Sequence, residues 1–129
     1  MVLALVLTFS GCDDDPTPPT APSPPPTITD TFSGMVNRNG AVTHTFATEA
    51  SGTATATLTT LSPDSALVVG FSMGTWNGTV CQIILANDRA TQGAVVTGGV
   101  STLGSFCMRI YDVGNIVDPV AYEFTVVHP

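Results

Sequence analysis

Lysine is absent from this sequence, and the only cationic side chains are Arg38, Arg89 and Arg109. Charged residues make up 10% of the 129 residues, and the net charge is −7. A nucleic-acid-binding surface needs several Lys or Arg side chains to neutralise phosphates and release counterions, so that class is excluded. Adhesion to an anionic membrane through a basic patch is excluded for the same reason. Histidine is nearly absent too, with only His44 and His128, and neither a G-x-S-x-G nor an H-E-x-x-H motif occurs. A hydrolase needs a nucleophile beside a base, or paired carboxylates, and no such pattern stands out. The sequence therefore reads as non-enzymatic and asks for no cofactor beyond the calcium candidate below.

Long apolar runs are also missing. The longest near the start is Val2 to Phe9 (VLALVLTF), too short for a bilayer-spanning helix, which needs about 20 apolar residues. A short apolar run followed by small residues reads instead as the core of a signal peptide, residues 1–11. It ends Phe9-Ser10-Gly11-Cys12, which resembles the bacterial lipobox, where small residues precede a cysteine that is lipidated and becomes the mature N-terminus. Phe9 stands where an aliphatic is usual, and no positive charge precedes the run. The alternative is an ordinary secretory signal in which Cys12 is incidental. Cysteine counting favours lipidation. There are three cysteines, and modifying Cys12 leaves Cys81 and Cys107 as a pair for the oxidising compartment that export implies. The expected location is the bacterial cell envelope, with the chain held to a membrane by its lipid and facing the periplasm or the exterior.

Residues 12–27 then form a tether: Asp13-Asp14-Asp15 followed by PTPPTAPSPPPT. Proline fixes φ and lacks an N–H, so helix and central strand are both denied. Such a segment favours extended polyproline II and acts as a semi-rigid spacer, about 3.1 Å per residue, or roughly 45 Å for residues 13–27. A PxxP-type ligand for a partner domain is the other use of such a segment.

Residues 28–129 carry the domain. Thr and Val are abundant, and β-branched side chains pack well on a pleated surface. Turn signals recur every 8–12 residues, at Asn37–Gly40, Ser51-Gly52, Ser62–Ser65 and Asn77-Gly78. Between them apolar residues alternate: Val42, His44 and Phe46; Ala54, Ala56 and Leu58; Leu67, Val69, Phe71 and Met73. A strand near Thr79 to Ala86 is followed by a loop from Asn87 to Gly93 and a weaker strand at Ala94 to Val100. Phe106, Met108 and Ile110 share one face of the next strand, and Val120, Tyr122, Phe124 and Val126 one face of the last. About eight strands predict an all-β, antiparallel sandwich of jelly-roll type. Cys81 and Cys107 both fall in strands and are expected to form a disulfide, bridging either two sheets or strands of one.

The segments Asp30–Gly34, Val42–Phe46, Leu61–Ser65 and Phe106–Asp112 together resemble bacterial pre-peptidase C-terminal (PPC) domains across nearly the whole of Ile28 to His128. The resemblance implies a small β-sandwich with an accessory role, localising a protein or binding polysaccharide or protein, and no shared catalytic residues. Some relatives bind calcium. Here Asp112, Asn115 and Asp118, in YDVGNIVDP, supply hard oxygen ligands in one loop, although the same residue types are ordinary turn formers. Trp76, the only tryptophan, lies in the turn GTWNG, where it either stacks on a sugar ring or protein partner or caps the core. The expected function is a membrane-anchored accessory or binding module of the envelope for a polysaccharide or protein ligand. The alternative is a structural or assembly role through uncharged sheet edges.

Overall fold

The computed structural model describes residue 11 and residues 26–129. The proposed lipidation site at Cys12 and nearly all of the signal and tether lie outside the described residues. No helix among the described residues is long and apolar enough to cross a membrane.

Eight strands run in order: β1 (Ile28–Val36), β2 (Ala41–Ala47), β3 (Gly52–Ser62), β4 (Val69–Trp76), β5 (Cys81–Ala90), β6 (Val95–Val100), β7 (Ser105–Tyr111) and β8 (Val120–His128). They form two four-stranded antiparallel sheets, β1-β8-β3-β6 and β2-β7-β4-β5. This interleaved order is that of a jelly roll, in which successive strands pass from one sheet to the other except at the β4–β5 hairpin. It matches the all-β sandwich expected from the alternation.

The period of two decides which residues meet between the sheets. Along β8, Val120, Tyr122, Phe124, Val126 and His128 are buried while the residues between them are not. Ala54, Ala56 and Leu58 of β3 are buried in the same way, and Phe106, Met108 and Ile110 of β7 are buried too, with Cys107 between them covered by its disulfide. Phe71 of β4 meets Phe124 edge-on, with ring centroids 5.3 Å apart. The small Ala54 and Ala56 let the two sheets close around these rings. A bulge between Leu58 and Thr60 shifts β3 against β8, and the Thr59 hydroxyl then donates to the Glu123 carbonyl at 2.9 Å.

Both histidines have structural partners. His44 Nε2 lies 2.6 Å from the Tyr122 hydroxyl and packs against Phe32 and Phe124. Burial lowers the His44 pKa, so the neutral ring is favoured there. His128 is buried, and its Nε2 sits 2.7 Å from the Asp30 carboxylate, tying the end of β8 to the start of β1.

One boundary differs from the sequence reading. The segment from Asn87 is not a loop: β5 continues to Ala90, pairing Asn87 with Phe71 and Ala90 with Val69 through a register shift. Asn87 Oδ1 accepts the Arg89 N–H at 3.0 Å, a local bond that in sequence looks like a turn.

Candidate functional site

The β4–β5 hairpin gathers the features best suited to recognition. Its turn is built by Asn77, whose Oδ1 accepts the N–H groups of Thr79 and Val80 at 2.9 and 2.8 Å. Gly78 supplies the left-handed backbone that the turn needs, with φ of 96°. At Gly74 the β5 backbone crosses close over β4. A Cβ on residue 74 would lie 2.0 Å from the Gln82 carbonyl oxygen, so only glycine fits. The register between the strands shifts at this point. That crossing brings Cys81 to Cys107 of β7, with Cα atoms 5.8 Å apart, and the two form a disulfide. The bond lies within one sheet and joins edge strand β5 to β7 across β4.

The outer face of this sheet holds an open concavity of about 400 Å³, lined by Thr43, Trp76, Thr79, Val80, Cys81 and Arg109. Trp76 therefore faces this hollow and is not part of the core cluster. Arg109 projects from β7 with its guanidinium 5.5 Å from the Tyr111 ring centroid. Tyr111 lies flat over Gly70, where a Cβ would come within 2.0 Å of the ring. The Tyr111 hydroxyl donates to the Asp88 carboxylate. Partial burial and then the Asp88 contacts push its pKa up to about 12, so it stays a neutral donor. Ser72 is buried on this face, with its hydroxyl 3.4 Å from the Arg109 carbonyl.

Beyond the disulfide, β5 is an edge strand paired only with β4. It exposes Ile83, Ile84 and Leu85 at 40%, 66% and 39% of their surface, with Val80 of the turn before it at 52%, and no charge intervenes before Asp88. Ile84 and Leu85 border a second recess of about 200 Å³, with Met73 and Phe106 also lining it and Gly98 and Gly99 of β6 leaving it open. An apolar, uncharged edge strand is a template for pairing with another chain.

The calcium candidates behave differently from one another. Asp112 Oδ1 accepts the N–H groups of Gly114, Asn115 and Ile116 at 2.8–3.0 Å, and Oδ2 accepts that of Asn39 at 2.8 Å. Three donors crowd the two lone pairs of Oδ1 and one engages Oδ2, so backbone N–H groups already hold both oxygens of this carboxylate. Asn115 Nδ2 donates to the Val68 carbonyl at 3.1 Å. Asp118 lies with Asn115 and Asp64 along a recess that Asp112 does not line. Among the described residues, no group of three or more His, Cys, Asp or Glu side chains is placed to hold a metal ion.

Sequence reasoning missed Arg109 and the β5 edge. The signal for the edge was there: three successive apolar residues, Ile83-Ile84-Leu85, break the alternation of a half-buried strand. An unbroken run reads as a strand covered on both faces, whereas this one is open on both. For Arg109 the signal was scarcity, one of three cations placed in the middle of a strand.

No protein-family model and no curated protein matches the chain, and of what the PPC resemblance implied the structure bears out the β-sandwich and not the family. Among solved structures, the chain is similar to PliG from Aeromonas hydrophila, a periplasmic lysozyme inhibitor of g-type lysozyme. The TM-score is 0.55 at 15% identity, over 76% of this chain and 83% of that one. The likeness is one of fold.

Proposed function

We propose that this chain is a membrane-tethered, non-enzymatic binding module of the bacterial envelope, and that its ligand is a protein docked along β5. The observation that carries this reading is the exposed, uncharged stretch from Val80 to Leu85 on an edge strand clamped by the Cys81–Cys107 disulfide. Backbone groups of such an edge pair with an incoming strand, and the apolar side chains supply desolvated contacts. Pre-fixing the strand lowers the ordering cost of binding. The net charge of −7 favours a cationic partner by steering and by complementarity. The fold likeness to PliG, described as a periplasmic lysozyme inhibitor, makes a lysozyme-type enzyme the first partner to try. The lipidated Cys12 and the Pro-rich spacer would hold the module at the membrane.

The test is inhibition of, and binding to, g-type lysozyme by the purified chain and by I84D. A charge at residue 84 leaves the core untouched, so the variant is expected to melt like the parent. The expected result is inhibition by the parent that weakens at least tenfold in I84D. Failure of the parent to bind lysozymes, or equal behaviour of I84D, overturns the reading. The same bare edge also favours a second reading, assembly of the chain with itself. That reading predicts concentration-dependent sedimentation of the isolated protein, abolished in I84D.

A further inference from the structure

We infer that the concavity on the outer face of the β2-β7-β4-β5 sheet is a second binding site, adjoining the β5 edge at Val80 and Cys81 but centred on Arg109 and Trp76, and that it takes a carboxylate-bearing sugar. Among the described residues the one carboxylate at salt-bridge distance from a basic group is Asp30, beside His128, so no described carboxylate lies within pairing distance of the Arg109 guanidinium. In a chain with ten acidic and three cationic side chains, an arginine without an acidic partner is unusual company for so open a hollow. Its planar fork matches a carboxylate with two parallel N–H donors. The Tyr111 ring beneath it limits how the guanidinium can turn. The nearby acid, Asp88, accepts the Tyr111 hydroxyl.

Trp76 lines the same hollow, half-exposed. An indole face packs on the C–H face of a sugar ring, and Thr43 and Thr79, which also line the hollow, carry hydroxyls that can donate to and accept from sugar hydroxyls. An aromatic platform, two hydroxyls and one uncommitted guanidinium in about 400 Å³ fit one acidic monosaccharide unit. Neutral sugars would lack the guanidinium contact, and peptide carboxylates would lack the stacking. A chain held in the bacterial envelope would meet acidic glycans there.

Trp76 is the only tryptophan, so its fluorescence reports this site alone. The full chain would be titrated with N-acetylmuramic acid and an oligogalacturonate, and in parallel with a chitooligosaccharide and N-acetyl-dialanine. The expected result is a saturable change with at least one carboxylated sugar, at least tenfold weaker for the neutral sugar and for the dipeptide. R109Q should lose that binding at least tenfold, R109K should fall between, and I84D should titrate like the parent. No saturable change with either acidic sugar overturns the inference. So does equal titration by R109Q, or tighter binding of the dipeptide. Because I84D tests only the edge, failure here is distinguishable from failure of protein binding at β5.

Discussion

Asp112 anchors the loop between β7 and β8 through four backbone N–H groups. Their combined donation, led by the Asn39 N–H, lowers its pKa from 3.8 to about 2. The folded carboxylate is therefore easier to ionise than the unfolded one. Its contribution to stability is complete above the unfolded value near 4 and is lost as pH falls towards 2. D112N keeps one amide oxygen but removes the charge. The expected outcome is a lower melting temperature at pH 7 and a flatter melting curve between pH 4 and pH 2, read by circular dichroism. An unchanged pH profile would show that other carboxylates set acid stability. In the sequence, Asp112, Asn115 and Asp118 read equally well as ligands or turn formers, because a short polar side chain near a glycine suits both. Only the count of donors around each oxygen separates the two. Trp76 shows the same limit, since its position in a turn left both sugar stacking and core capping open.

At the scale of strands, alternation made most of the sandwich legible. β8 was readable because every second residue from Val120 to Val126 is large and apolar, and that face lies against the opposite sheet. β5 was readable as a strand near Thr79 to Ala86, but its place at an edge was not, because what covers or exposes an edge is decided by strand order, which local pattern does not encode. The disulfide was expected from cysteine counting, but its path over β4 depends on the bare backbone of Gly74. It closes a loop spanning 26 residues, for which the chain-entropy model gives about 3–4 kcal/mol. The double variant C81S/C107S is expected to lose about that much stability in urea denaturation. It should also exchange amide hydrogens of β5 faster than those of β3 or β8, because β5 has one strand partner and would lose its second tie. Uniform acceleration across all strands would instead mean that the bond acts on the whole fold through the unfolded state alone.

At the scale of the whole molecule, the register shows at which end of the sandwich β1 begins. Ile28 pairs with His128, whose ring packs on Phe46 with centroids 5.0 Å apart. Phe46 pairs with Phe106, and Phe106 pairs with Thr75, next to Trp76. The domain's N-terminal strand thus starts at the end of the sandwich that carries the β4–β5 turn and the concavity. A module attached there to a membrane needs a spacer, or a macromolecular partner could not reach the hairpin. The proposed Pro-rich spacer would give that reach, at about 3.1 Å per residue for a polyproline II segment. The anchor itself is tested by Cys12→Ser in the native host. Each acyl CH₂ buried in a membrane contributes about 0.8 kcal/mol, and stable attachment takes more than one chain, so an unmodified protein has no comparable hold. The expected outcome is that the parent fractionates with membranes and carries acyl mass on a chain beginning at Cys12. The variant should lose both while keeping the Cys81–Cys107 bond, seen as a two-hydrogen gain on reduction. If Cys12→Ser stays with membranes, attachment rests on the apolar run from Val2 to Phe9 or on a bound partner, and the spacer would need a different explanation.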